Sequence, residues 1–246
     1  MITAIVQARL GSTRLPGKVL KAIMGNPILL LLVERLRASS YIENIVIATS
    51  DNPRDDGIEK FCKENGIDCF RGSENDVLER HYKAAKKFGA DVIVRITSDC
   101  PLVDISLVDG MIDAYMKNKE KYDIITNINP PTFPDGLDAY VFPMATLEKA
   151  NKGAKSDYER EHVTPYIFGH PKIFKIMNVE NSMGDLSRTH RWTLDYEEDY
   201  LFIKAVYENL YGKKRIFNMM DILKLLEEKP EIAKLNESLL EKNSFK

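Results

Sequence analysis

Twelve residues near the N-terminus concentrate the means to hold an anion: Gln7-Ala8-Arg9-Leu10-Gly11-Ser12-Thr13-Arg14-Leu15-Pro16-Gly17-Lys18. Glycines let backbone N–H groups approach an anion closely. The two arginines offer forked contacts to phosphate oxygens, and the lysine offers a compact point charge. The spacing is not that of a Walker A loop. Gly11 and Gly17 stand one residue too far apart, and Val19 replaces the magnesium-binding hydroxyl. It is not a GxGxxG fingerprint either, so no dinucleotide cofactor is expected. The plain alternative is a solvated basic loop.

Two later segments carry carboxylates. In Arg95-Ile96-Thr97-Ser98-Asp99-Cys100-Pro101-Leu102, Asp99 follows a run that reads as a strand. A lone carboxylate there either holds Mg²⁺, which takes one or two carboxylates plus substrate phosphates, or caps a turn. In Arg191-Trp192-Thr193-Leu194-Asp195-Tyr196-Glu197-Glu198-Asp199, Asp195 opens a helix. With Glu198 three residues on, it fits a capping box; one carboxylate oxygen can cap while the other binds a metal. Glu197 and Asp199 read as acids complementing the helix dipole.

The elements that must position these residues alternate. Ile2 to Gln7 reads as a buried strand, followed by a helix from the Asn26-Pro27 cap to about Ala38. Further strands are expected at Asn44–Thr49, Ile67–Phe70, Asp91–Thr97 and Asp123–Thr126. Helices are expected over Pro53–Asn65, after the Ser73–Asp76 capping box, and over Ser106–Lys117. Such alternation predicts a parallel α/β sheet with helices on both faces, and ligands beyond the carboxyl ends of its strands. After Asn127 the pattern changes. A turn-rich break at Asn129–Gly136 precedes a strand at Leu137–Phe142, helices near Ala145–Asn151 and Ser156–Phe168, strands at Lys172–Val179 and Arg188–Leu194 that could pair, and a helical tail. Residues 128–190 read as an excursion from one core, so residues 1–246 form one domain.

Composition narrows the possibilities. The 246 residues include 35 Lys plus Arg against 37 Asp plus Glu, a net charge of -2. That balance argues against a nucleic-acid binder. Hydrophobic residues at 44% and charged ones at 29% exclude a disordered chain. The odd trio Cys62, Cys69 and Cys100 lacks zinc spacing and reads as reduced thiols of a cytoplasmic protein. Neither a signal peptide nor a membrane span is expected. His81 lies on an apolar helical face and reads as a packed residue.

Taken together, the motifs resemble those of the cytidylyltransferases that activate sugar acids, such as KDO and sialic-acid synthetases. The closest resemblance is to the branch of spore-coat polysaccharide cytidylyltransferases. It rests on QARLGSTRLPGKVL from Gln7, FRGSENDVLER from Phe70, RITSDCPLVD from Arg95, FPDGLDAYVF from Phe133, EREHVTPY from Glu159 and RWTLDYEEDY from Arg191, in order along the chain.

The resemblance implies a glycosyltransferase-A-like fold with a mixed sheet, CTP as donor, Mg²⁺ as cofactor and a homodimer formed through residues 128–190. It implies Arg9, Ser12, Arg14 and Lys18 as triphosphate contacts. Gln7, Ala8, Gly11, Arg71, Ser73, Arg80 and Asp99 complete the nucleotide site. Asp99 and Asp195 are the implied metal ligands, and Lys18, Arg9, Asp99 and Asp195 the catalytic set. Arg160, His162, Arg188 and Arg191 are cations for an acidic acceptor or, equally, members of interface ion pairs. Two readings compete with CMP transfer from CTP: a nucleotidyltransferase using another base, and a catalytically retired nucleotide-binding subunit. A glycosyltransferase proper is disfavoured, because Asp99-Cys100-Pro101 lacks the second acid of a DxD motif.

Overall fold

The computed structural model describes residues 1–242. Strand β1 (Ile2–Gln7) leads through the basic loop and a small ribbon, β2 (Ala22–Ile23) with β3 (Asn26–Pro27), into helix α1 (Ile28–Arg37). Then come β4 (Asn44–Ser50), α2 (Asp56–Glu64), β5 (Asp68–Gly72), α3 (Val77–Lys87), β6 (Val92–Thr97), α4 (Ile105–Asn118) and β7 (Ile124–Thr126). Next are β8 (Tyr140–Pro143), α5 (Met144–Gly153), α6 (Asp157–His162), α7 (Pro165–Gly169) and β9 (Ile176–Asn178). The α-helices α8 (Glu197–Leu210), α9 (Met219–Glu228) and α10 (Pro230–Ala233) follow, and a 3-10 turn at Glu237–Lys242 ends the described order.

Seven strands form one sheet in the order β5-β4-β1-β6-β8-β7-β9. Neighbours pair in parallel except β8, which runs antiparallel to both β6 and β7. The sheet is therefore mixed, and β8, from within residues 128–190, lies inside it. Period-two alternation assigns the faces. Ala4, Val6, Ile47, Val94 and Ile96 pack with α1, α2 and α4, whereas Ile5, Val46, Ala48, Ile93 and Phe142 pack with α3, α5 and α7. A third cluster, centred on Trp192, Phe202, Val206 and Phe217, fastens α8 and α9 beside the sheet.

Several boundaries differ from the sequence expectation. Asn26 and Pro27 belong to the β2–β3 ribbon, so α1 starts at Ile28 with no side-chain cap. The helix expected over Ser156–Phe168 breaks between α6 and α7, where Val163 takes φ 71°. Residues 137–139 precede β8 without joining it, and Lys172–Val179 reduces to β9, which pairs with β7. Residues 188–194 form no strand. Their single ladder contact is a bridge between Asp135 and Arg191. Periodicity could not foresee this, because that apolar run is buried by the third cluster rather than by a sheet face.

Candidate active site

The loop after β1 is shaped from below. Leu10 N–H donates to Asp55 Oδ1 at 2.7 Å, Leu15 N–H to Ser12 Oγ at 3.2 Å, and Gly17 N–H to Leu10 O at 3.2 Å. Gly17 closes the turn at φ 68°, a region that glycine enters without the Cβ penalty. Asp55 is fully buried and also accepts from Ser50 Oγ, so the end of β4 anchors the loop.

A second segment brings the distant carboxylates together. Asp99 O accepts from Leu194 N at 2.8 Å and from Thr193 Oγ1 at 3.2 Å. Asp135 exchanges backbone bonds with His190 O and Trp192 N. This close approach leaves no room for a side chain at Gly136: at φ 109°, a Cβ would lie 2.5 Å from Thr193 N. Asp195 consequently sits across from Asp99, although the two lie far apart in the chain.

Lys18 stands at the centre. Its Nζ donates to Leu194 O at 2.6 Å and to Asp195 Oδ1 at 2.9 Å, and lies 3.8 Å from Asp99 Oδ2. Arg14 reaches Asp195 Oδ1 at 2.8 Å, and Arg191 reaches Oδ2 at 3.5 Å. Burial pushes the Asp195 carboxyl up, but Lys18, Arg14 and Arg191 outweigh it and hold it below the ordinary carboxylate value. The side chain of Asp195 caps nothing. Asp199 accepts the Asp195 and Tyr196 N–H groups instead, each at 3.0 Å. Asp199 is fully buried and holds Arg191 Nε at 2.9 Å, so it is a core ion-pair partner rather than a dipole acid.

These groups open into a cavity of about 850 Å³ beyond the carboxyl ends of β1 and β6. Gln7, Ala8, Arg9, Gly11, Ser12, Arg14, Lys18, Arg80, Asp99, His162 and Asp195 all line it. Arg71 and Ser73 do not. Arg71 braces the carbonyls of Ser50 and Asn52 and pairs with Asp56 and Glu59, while Ser73 Oγ accepts from Asp76 N at 3.0 Å. Of the four expected acceptor cations, only His162 faces the cavity. Arg160 forks onto Asp76 at 2.6–2.9 Å, tying α6 to the start of α3. Arg191 is buried against Asp199 and Asp135, and Arg188 is exposed elsewhere.

The cavity wall also holds Asp138 and Arg95, charged groups outside the expected set, in addition to the expected Arg80. Asp138 lines it, its carboxyl pushed well up by burial and by Asp135 and Asp99. Arg95 lines it from β6, and Arg80 from α3. Burial, helped by Arg9, lowers the Arg80 guanidinium to about 10. A signal for Arg95 existed: an arginine inside the apolar strand Val92–Thr97 is an exception to the rule that charge stays outside.

Two facing carboxylates suit Mg²⁺, a hard cation that completes its shell with water and phosphate oxygens. No set of three or more His, Cys, Asp or Glu among the described residues is arranged to hold a metal unaided. Asp99 and Asp195 thus fit a cation that arrives with a phosphate ligand.

A family model described as cytidylyltransferase matches residues 3–242. The spore coat polysaccharide biosynthesis protein SpsF of Bacillus subtilis is 38% identical over 94% of this chain and 96% of its own. An uncharacterized protein of Methanocaldococcus jannaschii is 38% identical over 98% of this chain and 97% of its own. The structure of a cytidylyltransferase from Leptospira borgpetersenii superposes with TM-score 0.88 at 37% identity, covering 94% of this chain and 96% of that one. The cavity gathers the basic loop and two carboxylates at the strand ends, and by these matches the chain belongs to the cytidylyltransferase family.

Proposed function

We propose that this protein transfers CMP from CTP to a hydroxyl of an acidic sugar and releases pyrophosphate, as a Mg²⁺-dependent cytoplasmic homodimer serving surface polysaccharide synthesis. One observation carries the reading: Lys18 Nζ lies 2.9 Å from Asp195 and 3.8 Å from Asp99 at the mouth of the basic loop. The names of relatives support the substrate class. SpsF is described as a spore coat polysaccharide biosynthesis protein, and a Chlamydia trachomatis 3-deoxy-manno-octulosonate cytidylyltransferase is 27% identical over 68% of this chain.

In the reaction, the acceptor oxygen forms a bond to the α-phosphorus while the bond from that phosphorus to the bridging oxygen breaks. Pyrophosphate leaves in line with its electron pair, and the hydroxyl proton passes to solvent. Lys18, Arg14 and Arg9 bind and neutralise the leaving pyrophosphate. Ser12 and the Gly11 backbone orient the triphosphate. Asp99 and Asp195 would hold Mg²⁺, which when bound supplies charge neutralisation at the phosphate oxygens. No covalent nucleophile on the protein is needed; positioning and electrostatics lower the barrier.

Exposed Tyr158, Ile173 and Met183 within residues 128–190 support a dimer through that segment. Pyrophosphate release, measured with each of the four ribonucleoside triphosphates, a panel of sugar acids and added Mg²⁺ or EDTA, tests the reaction. CTP-selective, EDTA-sensitive release is expected; equal release from all four nucleotides overturns the CTP assignment. Light scattering at micromolar concentration should give twice the chain mass, and a monomer overturns the dimer.

A further inference from the structure

Arg95 has no part in holding the triphosphate or the cation in the proposed reaction. It interrupts an apolar central strand, is 4% exposed, and lines the cavity. One guanidinium nitrogen donates to Gln7 Oε1 at 3.0 Å, and the group lies 4.8 Å from the centre of the Tyr140 ring. Its Nε has no hydrogen-bond partner. Among the described residues no carboxylate forms an ion pair with it, although Asp138 feels its charge. Of the arginines packed nearby, Arg160 is matched by Asp76 and Arg191 by Asp199 and Asp135, whereas Arg80, which also lines the cavity, donates to the Ser73 carbonyl. Arg35 is likewise buried and unpaired, but it donates to the carbonyls of Val103 and Phe217 and does not line the cavity.

We propose that Arg95, held by Gln7 and Tyr140, is the subsite for the carboxylate of the acceptor sugar acid. The inference rests on the reaction proposed above and names the residue that reads the acceptor's charge. A buried cation without a counter-anion is costly, so a cavity that keeps one is built for a ligand that supplies the anion. The planar fork of arginine matches a carboxylate. Position separates this anion from the triphosphate. Lys18, Arg14 and Arg9 sit on the loop after β1, whereas Arg95 projects from β6 beside Tyr140 of β8. Arg80, its Nε also unpartnered, makes the same wall positive.

The test compares the wild-type protein with Arg95→Met and Arg95→Lys. Calorimetry without nucleotide measures binding of 2-keto-3-deoxy-manno-octonate, N-acetylneuraminate and glucuronate, each against its carboxamide; CTP is titrated separately. The wild type should prefer at least one acid over its amide by about tenfold or more, the scale of a lost charge-assisted contact. Arg95→Met should bind acid and amide alike, Arg95→Lys should keep part of the preference, and all three should bind CTP within about twofold. Arg95→Met should also melt above the wild type, because an unpaired buried charge is gone. Wild-type protein that binds none of the acids, or an Arg95→Met protein that keeps the acid preference, overturns the proposal. An Arg95→Met protein that loses CTP about tenfold also overturns it, assigning the arginine to the nucleotide. If Arg95→Met does not fold, a lysine variant with the full wild-type preference and unchanged stability overturns it. The proposed reaction fails separately, through absent CTP-dependent pyrophosphate release, since the acid titrations contain no nucleotide.

Discussion

Replacing Asp195 by Asn changes one atom and removes the charge on which three cations converge. The side chain is 14% exposed, and Lys18, its nearest buried partner at 2.9 Å, is 11% exposed. Arg14 is about half exposed, so its share is discounted for solvent screening. Arg191 keeps Asp199 and Asp135, so it is not stranded. The loss that remains is chiefly one charge-assisted bond to Lys18, worth about 2 kcal/mol. For a chain of this size that lowers the melting temperature by about 4–8 °C. Helix α8 should stay intact, because Asp199 rather than Asp195 fastens its start, accepting the Asp195 and Tyr196 N–H groups just ahead of it. Turnover should fall more steeply, by about 10²-fold or more, since the variant presents one carboxylate in place of two beside the triphosphate. The sign with pH follows from the lowered native value. The carboxylate contributes stability above its unfolded value near 3.8 and loses it as pH falls through the lower native one. The gap between wild type and variant, read by urea denaturation, should therefore be full at pH 7 and close under strong acid. An Asp195→Asn protein with wild-type melting temperature and near-normal pyrophosphate release would refute both the charge argument and the catalytic role.

Gly136→Ala places a methyl 2.5 Å from the backbone of Thr193 and Trp192 at φ 109°, where nothing flexible can yield. It should destabilise the fold by about 3 kcal/mol or more, with circular dichroism showing the loss; a variant as stable as wild type would mean that residues 190–194 do not dock there. His81 is fully buried, donates from Nδ1 to Val77 O at 2.9 Å, and is pushed down to about 3 by burial and the nearby Arg95. Because the unfolded chain binds a proton near pH 6.5 and the folded one does not, wild-type stability should fall by up to about 1.4 kcal/mol per pH unit below 6.5. His81→Phe should remove that component from the urea midpoint measured between pH 7 and 5, and an unchanged slope would refute the assignment.

Much of the scaffold was legible from local pattern. Apolar β-branched runs separated by helical spacing located β1, β4, β6 and β7, because burial on both faces of a sheet leaves that mark. That the basic loop, Asp99 and Asp195 stand where a cavity opens was legible, because the carboxyl ends of parallel strands are where such sheets leave their clefts. Partnership was not legible. Asp195 reads as a cap from its spacing, yet its side chain turns to Lys18 and Arg14, and Asp199, held in the core by Arg191, accepts the Asp195 and Tyr196 N–H groups. Arg160 and Arg191 read as acceptor cations or as interface ion-pair members, yet carboxylates of the same chain, 84 and 8 residues away, claim them. The strand expected at 188–194 gave way to backbone contacts with Asp99 and Asp135, and those contacts bring Asp195 to Lys18. Sequence alone determined which residue types stand where local periodicity and loop chemistry act. Which charges face one another, and which stay unmatched in the cavity as Arg95 does, was decided by long-range packing that no window of sequence contains.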